Sequence, residues 1–266
     1  MPDLHHLTRS VIALCIETGQ FQLQHFNEVE QGKVSDKGLN QLVSFVDVES
    51  EKKLIAGLSQ LLPGSGFIAE ENTAITIEDA EYCWIIDPLD GTTNYLHGLP
   101  VFCISVALRH GEQTVLGVVH APALDETFHA IHGQGADLNG ETITVSNVPD
   151  LKHSLLATGF PYYEFEKAPE YLRALHELMK RTHGLRRMGS AAIDLAYTAC
   201  GRFDGFYEMG LAPWDVAAGA LIVKEAGGMV GDFQGGGNYL FGRQILATNR
   251  HIFSELQEIV LQNGLA

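Results

Sequence analysis

The stretch Trp84-Ile85-Ile86-Asp87-Pro88-Leu89-Asp90-Gly91-Thr92-Thr93-Asn94-Tyr95 sets two carboxylates three residues apart around a proline, between an apolar run and a helix-like start. Tyr82 to Ile86 is apolar, aromatic and β-branched, the composition of a buried strand, and it ends abruptly at Asp87. Pro88 fixes its own φ and biases Asp87 toward an extended backbone, so the spacing predicts Asp87 at a strand tip and a defined turn that returns Asp90 beside it. Asp90-Gly91-Thr92-Thr93 reads as an N-cap and first helical turn, where unpaired amides and the helix dipole favour an anion such as phosphate. Two carboxylates held together repel unless a cation lies between them, and oxygen-only ligands suit Mg²⁺ or Mn²⁺ rather than zinc. Taken alone, the same string is also ordinary turn chemistry. Acids elsewhere in the chain must decide between the two.

The chain has 266 residues, 45% of them hydrophobic, enough for one large domain or two packed closely together. Its 33 acidic residues against 17 basic ones give a net charge of −16, which argues against nucleic acid as a partner, because phosphate neutralisation needs clustered Lys and Arg. Arg181, Arg186 and Arg187 come nearest to such a cluster and read as a solvated helix end with the following loop or strand. Cys15, Cys83, Cys103 and Cys200 lie in apolar runs without a Cys-x-x-Cys pair and read as reduced core thiols. No signal peptide or membrane span is evident, so a cytoplasmic protein without membrane contact is expected. His129 and His132 fall in a strand and its exit turn, and no His-Glu-x-x-His string occurs.

Residues 3 to 30 carry apolar positions at helical spacing and predict one long helix, or two joined near Gly19. Residues 31 to 41 read as a mobile loop. A helix follows from about Glu49 to Leu62, stopped by Pro63-Gly64, and then a short strand over Gly66 to Ala69. Segments 101–109, 113–120 and 125–131 predict an antiparallel meander. Helices are predicted over Pro169 to Thr182, Ser190 to Cys200 and Pro213 to Ala226, with a short strand around Gly205 to Glu208. Pro213 suits a first helical position, and Gly227-Gly228 supplies a stop. Gly235-Gly236-Gly237 reads as a hairpin loop, without the lysine of a nucleotide-binding loop. A last strand, Gln244 to Thr248, leads to a helix from about His251. The fold class is α+β, a single domain with two intimately packed sub-domains divided near residue 150.

Three further acids stand out. Glu70 follows an apolar strand as Asp87 does, so the two could project from neighbouring strand ends. Asp215 stands in the first turn of its helix beside Trp214, where the helix dipole alone would favour a carboxylate. Asp47 ends the strand-like run Leu42 to Val46, or simply caps the helix that follows.

Glu70-Glu71, Asp87 to Asn94, and Trp214-Asp215-Val216-Ala217-Ala218-Gly219, in this order, resemble the inositol monophosphatase family of Mg²⁺-dependent, lithium-sensitive phosphatases. The resemblance implies an alternating α/β layered sandwich (αβαβα) of the sugar-phosphatase type, a homodimer, and two or three Mg²⁺ ions. It implies that Glu70, Asp87 and the Leu89 carbonyl hold one metal and that Asp87, Asp90 and Asp215 hold a second. It places the activated water at Thr92 and Asp47 with Glu70 nearby, and the phosphate against the amides of Gly91 and Thr92. It puts the substrate's hydroxyls at Asp90, Gly189, Ser190, Ala191 and Glu208. The implied partner is a small phosphorylated polyol, in the first instance myo-inositol 1-phosphate. Histidinol phosphate, fructose 1,6-bisphosphate and 3′-phosphoadenosine 5′-phosphate are the alternative substrates, a bisphosphate or nucleotide needing extra cations near the pocket for which Arg186 and Arg187 are the candidates, and a non-catalytic interaction protein is the reading of another class. The chain departs from the family pattern at Ala69, where the family has Gly. It departs again at Gln41-Leu42-Val43-Ser44, where the family has Asp-Leu-Val-Thr. Gln41 removes a charge near Lys33 and Lys37, a change that bears on loop closure and on a weak third magnesium.

Overall fold

Along the strand of Trp84, Ile85 and Ile86, successive side chains face opposite ways into two separate apolar cores, and this alternation organises the molecule. The computed structural model describes residues 2–26, 35–38, 41–71, 80–160 and 165–265, the side chains of 35–38 and 41–43 excepted. Helix α1 (Leu4–His25) is continuous through Gly19 and is capped by Asp3, whose side chain accepts from the His6 amide. Where a loop was expected over 31–41, β1 (Ser35–Gly38) and β2 (Gln41–Val43) pair antiparallel. Residues 31–34 and 39–40, Lys33 among them, and the side chains of Lys37 and Gln41 lie outside the described part. Helix α2 (Phe45–Leu61) starts four residues before the predicted Glu49, because Ser44 and Asp47 close a capping box: Asp47 accepts from the Ser44 amide and the Ser44 hydroxyl from the Val46 amide. The strand-like run before Asp47 therefore stops at Val43.

There follow β3 (Gly66–Ala69), β4 (Tyr82–Asp90), a one-turn helix α3 (Thr92–Leu96), and the predicted meander as β5 (Cys103–His110), β6 (Gln113–Ala121) and β7 (Glu126–Ile131). With β8 (Ala136–Leu138) and β9 (Glu141–Ile143) these strands form a seven-stranded sheet in sequence order, antiparallel except for β3 against β4. The second half runs β10 (Leu155–Thr158), α4 (Ala168–Arg181), β11 (Gly184–Arg186), α5 (Ala191–Ala199), β12 (Gly205–Met209), α6 (Pro213–Glu225), β13 (Met229–Gly231), β14 (Gln244–Thr248) and α7 (Phe253–Gln262). Its sheet has the order β11-β10-β12-β14-β13.

Five layers result. Helices α1 and α2 cover Trp84, Ile86, Ile104, Val106 and Leu108 on the outer face of the large sheet. Helices α5 and α6 fill the middle, against Ile85, Ala107 and Val119 from one sheet and Phe206, Ile245 and Ala247 from the other. Helices α4 and α7 close the far side over Leu156, Tyr207 and Leu246. Helix α6 is apolar on nearly every side, as a helix buried between two sheets must be. Small residues let it approach closely: a Cβ on Gly117 of β6 would stand 2.9 Å from the Ala218 carbonyl oxygen. This αβαβα order is the predicted layered sandwich, and each fully buried Leu, Ile or Phe adds roughly 1.5–3 kcal/mol to it. Cys15 and Cys103 are buried and Cys83 and Cys200 half-buried, all as free thiols. Among the described residues no helix is long and apolar enough to cross a membrane.

Candidate active site

The site is built on a β-bulge. Asp87 pairs with Ser105 and Asp90 with Cys103, so Pro88 and Leu89 together face Ile104 alone. Proline has no amide to give the ladder and is tolerated at such a bulge. Strand β4 therefore runs on through the predicted turn, and Asp87 is not at its tip. Two hydrogen bonds fix the bulge: the Leu89 amide donates to Asp87 Oδ1 at 2.9 Å, and Gln22 Nε2 of α1 donates to the Pro88 carbonyl at 2.7 Å. The N-cap of α3 is Gly91, not Asp90. Gly91 has φ 97°, and a Cβ there would lie 2.8 Å from the Val101 carbonyl oxygen, so the turn needs glycine. With five residues α3 has little macrodipole, and an anion here would rely on the amides themselves.

Glu70, Asp87, Leu89, Asp90, Gly91, Thr92, Gly189, Ser190, Ala191, Glu208 and Asp215 all line one open cavity of about 260 Å³. Parallel pairing of β3 with β4 sets Ala69 opposite Ile86, which carries Glu70 alongside Asp87. Asp47 does not line the cavity but reaches it through Thr92, whose Oγ1 stands 3.0 Å from Asp47 Oδ1 and 3.0 Å from the Leu89 carbonyl. The other oxygen of Asp47 accepts from the Ser44 amide and hydroxyl, so Asp47 both caps α2 and orients Thr92. Asp90 Oδ2 accepts from Ser190 Oγ and from the Ala192 amide, each at 2.7 Å. Asp215 Oδ2 accepts from the Ala212 amide at 2.7 Å. In Asp90 and Asp215 the protein thus fixes one carboxylate oxygen.

Burial and mutual repulsion raise these acids. Glu70 is pushed up to about 8 by burial and then by the charges of Asp215, Glu71 and Asp47. Asp215 is pushed up to about 8 by burial and then by Asp90. Asp87 is held well above the usual carboxylate range by burial, then by Glu70, Asp90 and Asp215. Burial raises Asp90 as well, against the hydrogen bonds from Ser190 and Ala192. Among the described residues no three acids, histidines or cysteines stand as a closed ligand cluster. The donor set still fits a hard cation: carboxylates and a carbonyl line the cavity, with no imidazole or thiol, and each acid carries repulsion that a divalent ion would relieve.

Two residues of this neighbourhood, Gln22 and Asn94, have roles that escaped the sequence, and Arg187 takes the pocket position open to it. Of the two candidate pocket cations, Arg187 lines the cavity, its guanidinium 5.7 Å over the ring of Phe160, while Arg186 stays exposed against its neighbour's carbonyl. Gln22 is fully buried and continues the inward stripe Val11, Cys15, Thr18 of α1, where a lone amide asks for a partner. Asn94 ties α3 to the segment before α5, donating to the Val101 and Met188 carbonyls.

A sequence profile described as the inositol monophosphatase family matches residues 3–263. The chain belongs to the inositol monophosphatase family. It is 40% identical over 254 residues to an inositol-1-monophosphatase of Mesorhizobium japonicum, covering 96% of each chain. It is also 40% identical to the Escherichia coli protein named Nus factor SuhB, over 94% of this chain and 93% of that one. Its structure matches that of the extragenic suppressor protein SuhB of Bartonella henselae with a TM-score of 0.91 at 40% identity, covering 95% and 97% of the two chains. An IMPase structure from Thermotoga maritima gives a TM-score of 0.86 at 37% identity over 95% of each chain. Membership makes the chain a phosphatase of a metal-dependent family.

Proposed function

We propose that this protein hydrolyses myo-inositol 1-phosphate to inositol and phosphate, using Mg²⁺ and water. The observation that carries the proposal is the convergence of Glu70, Asp87, Asp90, Asp215 and the Thr92–Asp47 pair on one cavity. Glu70, Asp87 and the Leu89 carbonyl would hold one Mg²⁺; Asp87, Asp90 and Asp215 would hold a second, with a third ion possible only as a weak site. The chemistry supplied by bound Mg²⁺ is acidification of the attacking water and neutralisation of charge on the phosphate and the leaving oxygen. Thr92 has one proton and two acceptors at 3.0 Å. Turned to Asp47, it leaves its oxygen open to accept a proton from water, with Glu70 beside it. The amides of Gly91 and Thr92 hold the phosphate, and Asp90, Gly189, Ser190, Ala191 and Glu208 face the polyol. This reading extends to lithium inhibition, a cytoplasmic homodimer, and one domain of two sub-domains divided near residue 150, which the two sheets support.

Steady-state rates with Mg²⁺ on myo-inositol 1-phosphate, histidinol phosphate, fructose 1,6-bisphosphate and 3′-phosphoadenosine 5′-phosphate test the substrate. The inositol ester should lead, and a tenfold preference for any rival would overturn the assignment. The relative named Nus factor matches at the same identity as the one named inositol-1-monophosphatase, which favours an interaction role beside catalysis as the second reading. A folded, Mg²⁺-binding protein without turnover on any monoester would speak for that role alone.

A further inference from the structure

Glu208 lies on β12, 7% exposed, with its carboxylate at the cavity. The neighbouring strand β10 ends at Thr158, which pairs with Tyr207, so the next residue, Gly159, comes level with Glu208. A methyl group built on Gly159 would land inside the Glu208 carboxylate, whose Oε1, Cδ and Oε2 are the three nearest atoms. The backbone of Gly159 is not in the left-handed region, so an L residue could adopt it. Space, not conformation, requires glycine here, and Glu208 fills that space. Beyond it the wall is Phe160, 42% exposed, under the Arg187 guanidinium.

Resting on the phosphatase reading above, we propose that Gly159 sets the specificity of the leaving-group pocket, seating the Glu208 carboxylate flat over its Cα to accept hydroxyls from a neutral polyol. Both oxygens of a carboxyl group hydrogen-bond hydroxyls, and their spacing suits two neighbouring ones. A leaving group without hydroxyls gains nothing from this arrangement. Gly159 is thus a positioning residue that acts through Glu208.

The test compares kcat and KM with Mg²⁺ for myo-inositol 1-phosphate and p-nitrophenyl phosphate across wild type, Gly159→Ala, Glu208→Ala and the double variant. Gly159→Ala should raise KM for the inositol ester at least about tenfold, the size of two lost hydrogen bonds. Its loss of kcat/KM on that ester should exceed the loss on p-nitrophenyl phosphate by a similar factor. In the Glu208→Ala background, Gly159→Ala should add less than about twofold, since the two act as one unit. Equal losses on both esters, or additive losses in the double variant, would overturn the inference and leave the phosphatase reading standing. Should Gly159→Ala fail to fold, the double variant, freed of the clashing carboxylate, decides: it must fold and match Glu208→Ala, and a worse enzyme refutes the proposal. A wild-type protein inactive on every monoester would refute both readings.

Discussion

Thr92 is where the hydrogen bonding of single atoms bears most directly on chemistry. Its hydroxyl is flanked by Asp47 Oδ1 and the Leu89 carbonyl, both at 3.0 Å. Thr92→Val keeps the shape and removes the proton relay, so kcat should fall by about 10²–10⁴ with KM little changed, the usual worth of a positioned acid-base group. Thr92→Ser should restore most of it; a Val variant with normal kcat would remove Thr92 from the mechanism. The acids of this site were legible in the sequence: Glu70 and Asp87 because a charge directly after an apolar run is conspicuous, and Asp215 because it stands in the first turn of a helix otherwise built from small and apolar residues. Gly159 was not, since it takes its meaning from a partner far along the chain, Glu208, and the sequence left Arg186 and Arg187 undivided as pocket cations, because only the fold turns one of them inward.

At the scale of elements, the bulge in β4 depends on α1. Gln22 Nε2 reaches the Pro88 carbonyl at 2.7 Å and Ser50 Oγ at 3.2 Å. Gln22→Leu leaves that buried carbonyl without its donor and should cost about 1–3 kcal/mol, measured as a lowered urea midpoint at unchanged slope. An unchanged midpoint would show that the bulge holds itself. The sequence marked the meander and the helix of Pro213 well, because Gly and Pro stops and apolar periodicity agree there. It misplaced the start of α2, because Phe45 and Val46 look like strand continuation until Ser44 and Asp47 are seen to close the cap. It read a turn at Asp87 to Asp90, because a proline that breaks most strands is accommodated here by one extra residue.

For the whole molecule, the layered sandwich buries histidine as well as acid. His120 on β6 is 5% exposed, bonded to Thr127 Oγ1 at 2.9 Å and packed against Gly19 of α1. Burial lowers its pKa, against smaller opposing effects from Asp125 and Glu126. The unfolded chain therefore takes up this proton first as pH falls, so stability is full above about 6.5 and declines below it, toward the depressed folded value. His120→Gln should flatten that part of the stability–pH curve; identical curves for both proteins between pH 7 and 5 would exclude His120 as the cause. The fold as a whole serves to bring β3, β4, α5 and α6 to one cavity, and Asp90 is one of the acids that line it. In Asp90→Asn an amide oxygen can still accept from Ser190 and Ala192, so the protein should fold, while the negative charge that would face Mg²⁺ is gone. The decisive measurement is Mg²⁺-dependent phosphate release from myo-inositol 1-phosphate by folded Asp90→Asn beside wild type. A loss of at least about a hundredfold is predicted, and turnover near the wild-type rate would contradict the site.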